Sequence, residues 1–307
     1  MNKEDMTSGC PAAKGTANNA VGKDVPKVLP GQLTYNGYLM VKELKQLQVC
    51  QSDPAHHDEP LFIVIHQAYE LWFKLILHEI DAVLELLREG NARRATFYMR
   101  RVLAIMRLLV QQIHILETMS PRDFLGFRYN LSPASGFQSS QFREIEFVCG
   151  LKDDKLLAHF DGDEESYAEL KRRFEQPSLL DEFYSLLRKR GLAIPTAMDD
   201  EHQEKRILQL IKIYEEEDKY PDLHDLAETF VEFDELTFFW RAHHVTVVER
   251  MIGFKKGTGG SEGVGYLRST LEKRAFADLW RLRTYIQQTD AGPEGQPMSE
   301  GCPFHTA

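Results

Sequence analysis

The sequence predicts an all-α fold, a bundle built on three or four long helices with shorter helices at its periphery. Three observations carry this reading. Apolar residues recur at the helical period over several long runs. Gly or Pro stands where those runs end. No segment shows the repeated apolar–polar alternation of strands, and no internal repeat is visible.

Residues 1 to about 25 are rich in Gly, Ala, Asn and Lys and read as a disordered arm. The run LFIVIHQAYELWFKLILHEIDAVLELLREG is a long amphipathic helix ended by Gly90, and ATFYMRRVLAIMRLLVQQIHILETM is a second, stopped before Pro121. The following stretch, SPRDFLGFRYNLSPASGFQSSQFREIEFVCG, mixes aromatics, Ser, Pro and Gly with Arg128 and Arg143. That composition suits either a turn-rich segment lining a cavity or an ordinary interhelical loop. Residues 151 to 222 are charged and read as peripheral helices whose charges form a solvated face; SLLDEFYSLLRKRG and KRILQLIKIYEEEDKY lie among them. Thr229 to Ile252 is a third long helix, and LRSTLEKRAFADLWRLRTYIQQT a final one. The expected organisation is an arm over 1–25, one all-α domain over 26–290, and a disordered tail over 291–307.

The chain has 307 residues, 43% of them hydrophobic, enough to bury a sizeable core. A net charge of −10 argues against nonspecific nucleic-acid binding, which depends on excess Lys and Arg. No run of about 18 apolar residues suggests a membrane span. The polar N-terminus lacks an apolar signal core, so the expected location is the cytoplasm. Cys10, Cys50, Cys149 and Cys302 are far apart and form no CxxC pair, so they read as reduced thiols. Cys10 and Cys302 each sit in a Gly-Cys-Pro triplet, a pattern that serves as a regulatory haem contact in some proteins and arises by chance in polar tails.

Several constellations could carry chemistry. Lys255 and Lys256 precede Gly257-Thr258-Gly259-Gly260-Ser261, whereas a phosphate-binding P-loop places its lysine after the glycines and before a helix. The cluster therefore reads as a loop whose backbone can approach a ligand closely, or as a mobile connector. No histidine has Glu three residues before it, which excludes the paired ExxH motifs of di-iron bundles, and HExxH is absent. His66 and Glu70 share a helix face, but no third iron ligand can be identified beside them. Haem iron asks less, a single axial imidazole. His244 projects from a stripe of Phe230, Phe233, Trp240, Val247, Val248 and Met251, while His243 points 100° away. His66 lies in helical phase with Phe62 and Phe73. Either histidine could equally be a satisfied core residue. Arg128 lies four residues after Phe124, an arrangement that suits bidentate capture of a carboxylate beside an apolar group, or a structural ion pair.

Four segments in order, LTYNGYL, HHDEPLFIVIHQAYELWFK, LETMSPRDFLGFRYNLSPASGFQSSQFR and WRAHHVTVVERMIGFKKGTGGSEGVGYL, resemble the tryptophan 2,3-dioxygenase family from about Leu33 to Leu267. The resemblance implies an all-α bundle enclosing a haem pocket. It implies a haem b enzyme, ferrous when active, that inserts both atoms of O2 across the indole C2–C3 bond of L-tryptophan to give N-formyl-L-kynurenine. His244 matches the family's axial iron ligand, and His66 its distal histidine, expected to position substrate. Phe62 matches a haem-pocket aromatic, Arg128 the residue that binds the substrate carboxylate, and Ser135 a pocket serine. Thr258 matches a residue that contacts the amino-acid end of the substrate from a loop expected to close over it. Tyr35, Tyr38 and Leu39 match a segment that completes a neighbouring subunit's pocket in a homotetramer. Some members carry tyrosine where this chain has Phe124, so one hydroxyl for the carboxylate is absent here. A substituted tryptophan as substrate, or a haem sensor without turnover, stays open on the sequence.

Overall fold

The computed structural model describes residues 31–255, 257 and 263–286. The expected arm over 1–25 and the tail over 291–307 lie outside the described residues. The chain divides into two compact units, Met1–Gln48 and Val49–Ala307. In the first, the short helices α1 (Tyr35–Tyr38) and α2 (Val41–Leu44) follow one another, α1 starting where the Thr34 hydroxyl accepts the Gly37 N–H.

The second unit is all-α among its described residues, and three long helices dominate it: α3 (Glu59–Glu89), α4 (Ala92–Leu116) and α10 (Pro221–Ile252). Helix α3 ends at Gly90, whose φ of 86° lets the chain turn back into α4 at once. Helix α4 lies against both α3 and α10, and α3 and α10 meet through side chains such as Tyr69, Phe73 and Trp240. One apolar stripe of α4, Met99, Val102, Leu103, Met106, Leu109 and Ile113, is fully sequestered in the core. Each large side chain so buried contributes about 1.5–3 kcal/mol. The α3 run, like a core helix, is also long and apolar enough to cross a membrane by length and composition. That differs from the expectation that no such run exists; its inner face, from Ile65 through Leu87, is taken up by core packing.

The stretch after α4 is more helical than its Ser, Pro and Gly content suggests. It folds into α5 (Pro121–Phe127), two short 3-10 turns over Arg128–Leu131 and Gly136–Gln138, and α6 (Ser140–Cys149), seven of whose residues are buried. Helices α7 (Glu164–Glu175), α8 (Leu179–Lys189) and α9 (Gln203–Glu215) are peripheral as expected. Their charges are not all solvated, however. Arg173 is buried and pairs with Asp81 and Glu144, and Arg206 is buried and pairs with Asp278. Helix α10 begins at Pro221, eight residues before the expected start. Its first turns look like a charged surface segment in sequence, but Leu223, Leu226 and Ala227 are buried.

The expected single helix over 267–289 is instead two, α11 (Val264–Ser269) and α12 (Ala277–Leu282). Side chains of α10 compete for the backbone between them. Arg241 donates to the carbonyls of Thr270 (3.1 Å) and Lys273 (3.4 Å). The buried Asp234 carboxylate accepts the N–H groups of Ala275 and Phe276, both at 2.9 Å, and the Trp280 indole N–H at 3.2 Å. These contacts replace the bonds that a continuous helix would make.

Burial pushes the Asp234 carboxyl up, against three donors that hold it down. Substituting Asp234→Ala leaves those donors without their acceptor and should cost about 3 kcal/mol. Urea denaturation should show the loss, and hydrogen exchange should quicken at Ala275 and Phe276 before the rest of the core. Unchanged exchange there would mean that Asp234 does not hold this break.

Candidate functional site

His66 lies on the second turn of α3. Its Nδ1 lies 2.7 Å from the Phe62 carbonyl oxygen, four residues back. A neutral imidazole can satisfy that carbonyl only by donating from Nδ1, which leaves the Nε2 lone pair to accept. The backbone of this turn is gripped from two sides. Gln112 on α4 donates to the Ile65 carbonyl at 3.1 Å, and Gln141 on α6 donates to the Glu70 carbonyl and carboxylate at 3.0 and 2.8 Å. Burial lowers the His66 pKa, while the Phe62 carbonyl and the Glu70 charge act in the opposite direction. Glu70 is therefore engaged by Gln141 rather than held free beside His66.

An aromatic wall continues from His66. The rings of Phe62 and His66 have centroids 4.0 Å apart, and Phe62 lies 5.6 Å from Phe124 and 5.8 Å from Phe127. Phe124 and Phe127 come from α5, which packs against α10. Arg128 follows directly at the start of the 3-10 turn and is 6% exposed. Arg128 is thus buried directly after this ring cluster in the chain, and its guanidinium carbon lies 5.9 Å from the centre of the Tyr129 ring. Ser135 sits a turn further on, where its hydroxyl accepts the Phe137 N–H at 3.3 Å and caps the second 3-10 turn.

His244 lies on the last third of α10. The Trp240 indole stacks on its imidazole, with centroids 5.5 Å apart and planes 21° apart. Trp240 is held in turn among Tyr69, Phe73 and Phe142. The Tyr69 hydroxyl donates to the Leu109 carbonyl at 3.0 Å, so all three long helices meet at this point. Burial pushes the Tyr69 hydroxyl up to about 12. Arg241, one turn before His244, is buried and bonds Glu146 at 2.7 Å; Glu146 also pairs with Arg143. Sequence reasoning missed Gln112, Gln141 and Tyr69. Their partners lie 40 to 71 residues away, so no local pattern reports them.

Burial first, and the nearby His66 second, lower the His244 pKa to about 4. No described residue bonds a ring nitrogen of His244. His243 packs its ring 5.0 Å from that of His114. No group of three or more His, Cys, Asp or Glu side chains able to hold a metal ion occurs among the described residues. An iron held here would have to bring most of its ligands with it, as a macrocycle does. The imidazole of His244, kept neutral by burial and bonded by no described residue, fits that demand.

Two expectations remain. Thr258 lies outside the described residues. Tyr35, Tyr38 and Leu39 belong to the first unit, where they are 77%, 70% and 44% exposed. Cys50 and Cys149 are free thiols as expected, and burial pushes the Cys149 thiol up; Cys10 and Cys302 lie outside the described residues.

The family model of tryptophan 2,3-dioxygenase matches residues 20–200 and 200–286. The chain is 45% identical over 258 residues to the tryptophan 2,3-dioxygenase of Herpetosiphon aurantiacus, spanning 82% of this chain and 97% of that one. It is likewise 45% identical over 260 residues to that of Nocardioides sp., spanning 83% and 95% of the two chains. Against that of Caulobacter vibrioides it is 42% identical over 261 residues, spanning 83% and 98%.

The depressed pKa of His244 has a consequence for stability. The unfolded chain binds a proton there near pH 6.5, whereas the folded chain resists until about pH 4. The stability carried by the neutral imidazole is thus full above pH 6.5 and is lost as pH falls from 6.5 to 4, to a total of about 3 kcal/mol. Urea midpoints of the protein freed of any ligand should fall across that window, and less steeply in His244→Gln. Equal slopes in the two proteins would contradict the burial of this imidazole.

Proposed function

The chain belongs to the tryptophan 2,3-dioxygenase family, and from that premise we propose a haem site between α3 and α10 in which His244 is the axial iron ligand and Arg128 receives the substrate. The chain is an oxidoreductase that adds both atoms of O2 to the indole C2–C3 bond of L-tryptophan, giving N-formyl-L-kynurenine, the first step of tryptophan catabolism by the kynurenine route. The observation that supports the site is geometric: His66 on α3 stands in an aromatic wall with Phe62, and His244 on α10 stacks on Trp240.

The cofactor is haem b, one per subunit, ferrous in the active state. When bound, it supplies the redox-active iron at which O2 is activated toward the electron-rich indole. The protein's part is to bind, orient and desolvate. His244 stays neutral at working pH, because burial opposes its protonation, so its lone pair is free for the iron. The stacked Trp240 limits rotation of the imidazole. His66, with Nδ1 committed to the Phe62 carbonyl, offers Nε2 to the indole N–H and orients the ring. The reaction does not require that proton to be removed first, so His66 positions rather than acts as an obligatory base. Phe62, Phe124 and Phe127 form the apolar wall on which the substrate packs.

Arg128 takes the substrate carboxylate through charge-assisted hydrogen bonds, each worth about 1.5–3 kcal/mol. Phe124 adds no hydroxyl to that interaction. Thr258 supplies a contact to the amino-acid end. Holding both reactants in one geometry accounts for most of the acceleration asked of the protein. Ser135 is the pocket serine of this reading, and its hydroxyl, whose oxygen accepts the Phe137 N–H, keeps a hydrogen to donate. In the assembled enzyme, Tyr35, Tyr38 and Leu39 complete the pocket of a neighbouring subunit within a homotetramer, a dimer of dimers; their exposure supports that role. The cytoplasm is the compartment in keeping with reduced Cys50 and Cys149.

His244→Ala should abolish the Soret band while the helical circular dichroism persists. Arg128→Ala should retain the band and raise KM for L-tryptophan about 10- to 100-fold, the loss of one to two charge-assisted bonds. Normal haem binding without His244, or parallel loss of haem and turnover without Arg128, would contradict these roles. Removing the first 40 residues should lower both the assembly state in analytical ultracentrifugation and the turnover; a fully active tetramer would remove the arm from the pocket.

A further inference from the structure

We propose that the segment Gln51–Asp58 is a clasp that sets the position of Arg128, with Glu59, His56 and Gly126 as its positioning residues. The proposal rests on the reading of Arg128 as the carboxylate site.

The clasp begins with a charge buried where a helix starts. Glu59 opens α3 and is 0% exposed. Its carboxylate accepts the N–H groups of Gln51 at 2.6 Å and Ser52 at 3.1 Å, together with the Ser52 hydroxyl. The same Ser52 oxygen accepts the His56 N–H at 2.8 Å, and His56 Nδ1 accepts the Asp58 N–H at 3.2 Å. Burial pushes the Glu59 carboxyl up, but these donors outweigh it and hold the group below the usual carboxylate range. An ionised side chain cut off from water and met by three donors is costly to disturb, so the segment has one arrangement.

From this anchored segment, three contacts reach the stretch that carries Arg128. The Asn130 side chain donates to the Gln51 carbonyl at 3.2 Å. The His56 ring lies 5.4 Å from that of Phe127. It also covers the backbone of Gly126, where a Cβ would stand 2.9 Å from both Cδ2 and Nε2 of His56. The clasp therefore touches residues 126, 127 and 130, on both sides of Arg128. His56 cannot swing away cheaply, because its backbone, its Nδ1 and one ring face are all engaged. Gly126 sits inside α5, where alanine by itself favours the helix, so the close approach of His56 is what demands glycine there. Because Glu59 also starts the helix that bears Phe62 and His66, one carboxylate ties the carboxylate end of the pocket to its indole end.

The test is steady-state kinetics and haem content of the holoenzyme. Gly126→Ala should raise KM for L-tryptophan about tenfold and leave kcat and the Soret band within about twofold. Adding His56→Ala to Gly126→Ala should bring KM back toward the wild-type value, since the methyl group then has room. An unchanged KM in Gly126→Ala, or a rise that His56→Ala does not relieve, overturns the clasp. If Gly126→Ala is recovered without haem, Glu59→Gln replaces it, turning an amide toward the Gln51 and Ser52 donors; the same rise in KM is expected, and an unchanged KM overturns the proposal. Arg128→Ala separates the two levels. If it leaves KM unaltered, the carboxylate reading fails and the clasp with it; if it raises KM while Gly126→Ala does not, only the clasp fails.

Discussion

The position of α4 between α3 and α10 is the constraint on which the rest of the second unit depends. Its apolar stripe meets both neighbours along most of its length, and those neighbours then touch only through side chains. Two helices held on a third, rather than on each other, can present residues across a gap that side chains and a ligand fill. The polar cross-links fall at that gap. Gln112 holds the backbone beside His66, and the Leu109 carbonyl holds Tyr69, which packs against Trp240 beneath His244. One helix thus braces the surroundings of both histidines.

Apolar packing alone would leave the helices free to slide in small steps. The buried charges restrict that freedom. Glu146 lies between Arg143 and Arg241, Asp234 collects three donors at the break between α11 and α12, and Glu59 closes the segment before α3. A buried charge is of little net benefit to stability but tolerates few alternative partners. Such groups therefore define where a helix ends and in which register it lies. Each of the three acts at a helix end or beside a site residue, which is where register decides geometry.

The same physics governs the two histidines. Removal from water disfavours the imidazolium form of each, and their proximity disfavours it further in His244. A neutral imidazole can bind iron or accept an N–H, and a protonated one can do neither. The hydrogen bond from Nδ1 to the Phe62 carbonyl fixes the tautomer of His66 and leaves the Nε2 lone pair as its acceptor. Arg128, by contrast, keeps its charge although it is buried, the property that the proposed carboxylate site needs.

Much was legible in sequence. Helical period and terminal glycines located α3 and α4 and most of α10, because those helices bury one face throughout their length and the period survives. The same period put His244 in phase with the apolar stripe of α10, and the four ordered motifs pointed to the family. The break between α11 and α12 was not legible, because Asp234 and Arg241, which impose it, lie about 30 to 40 residues earlier. Buried Arg173 and Arg206 looked like surface charges for a like reason: their partners Asp81 and Asp278 are remote. The sequence by itself thus determined the helices, whose stability is local and periodic, and the identity of the groups available for chemistry. Only the tertiary structure decided which charges are desolvated and which remote groups grip the backbone beside His66 and around Arg128, since each depends on contacts between residues far apart in the chain.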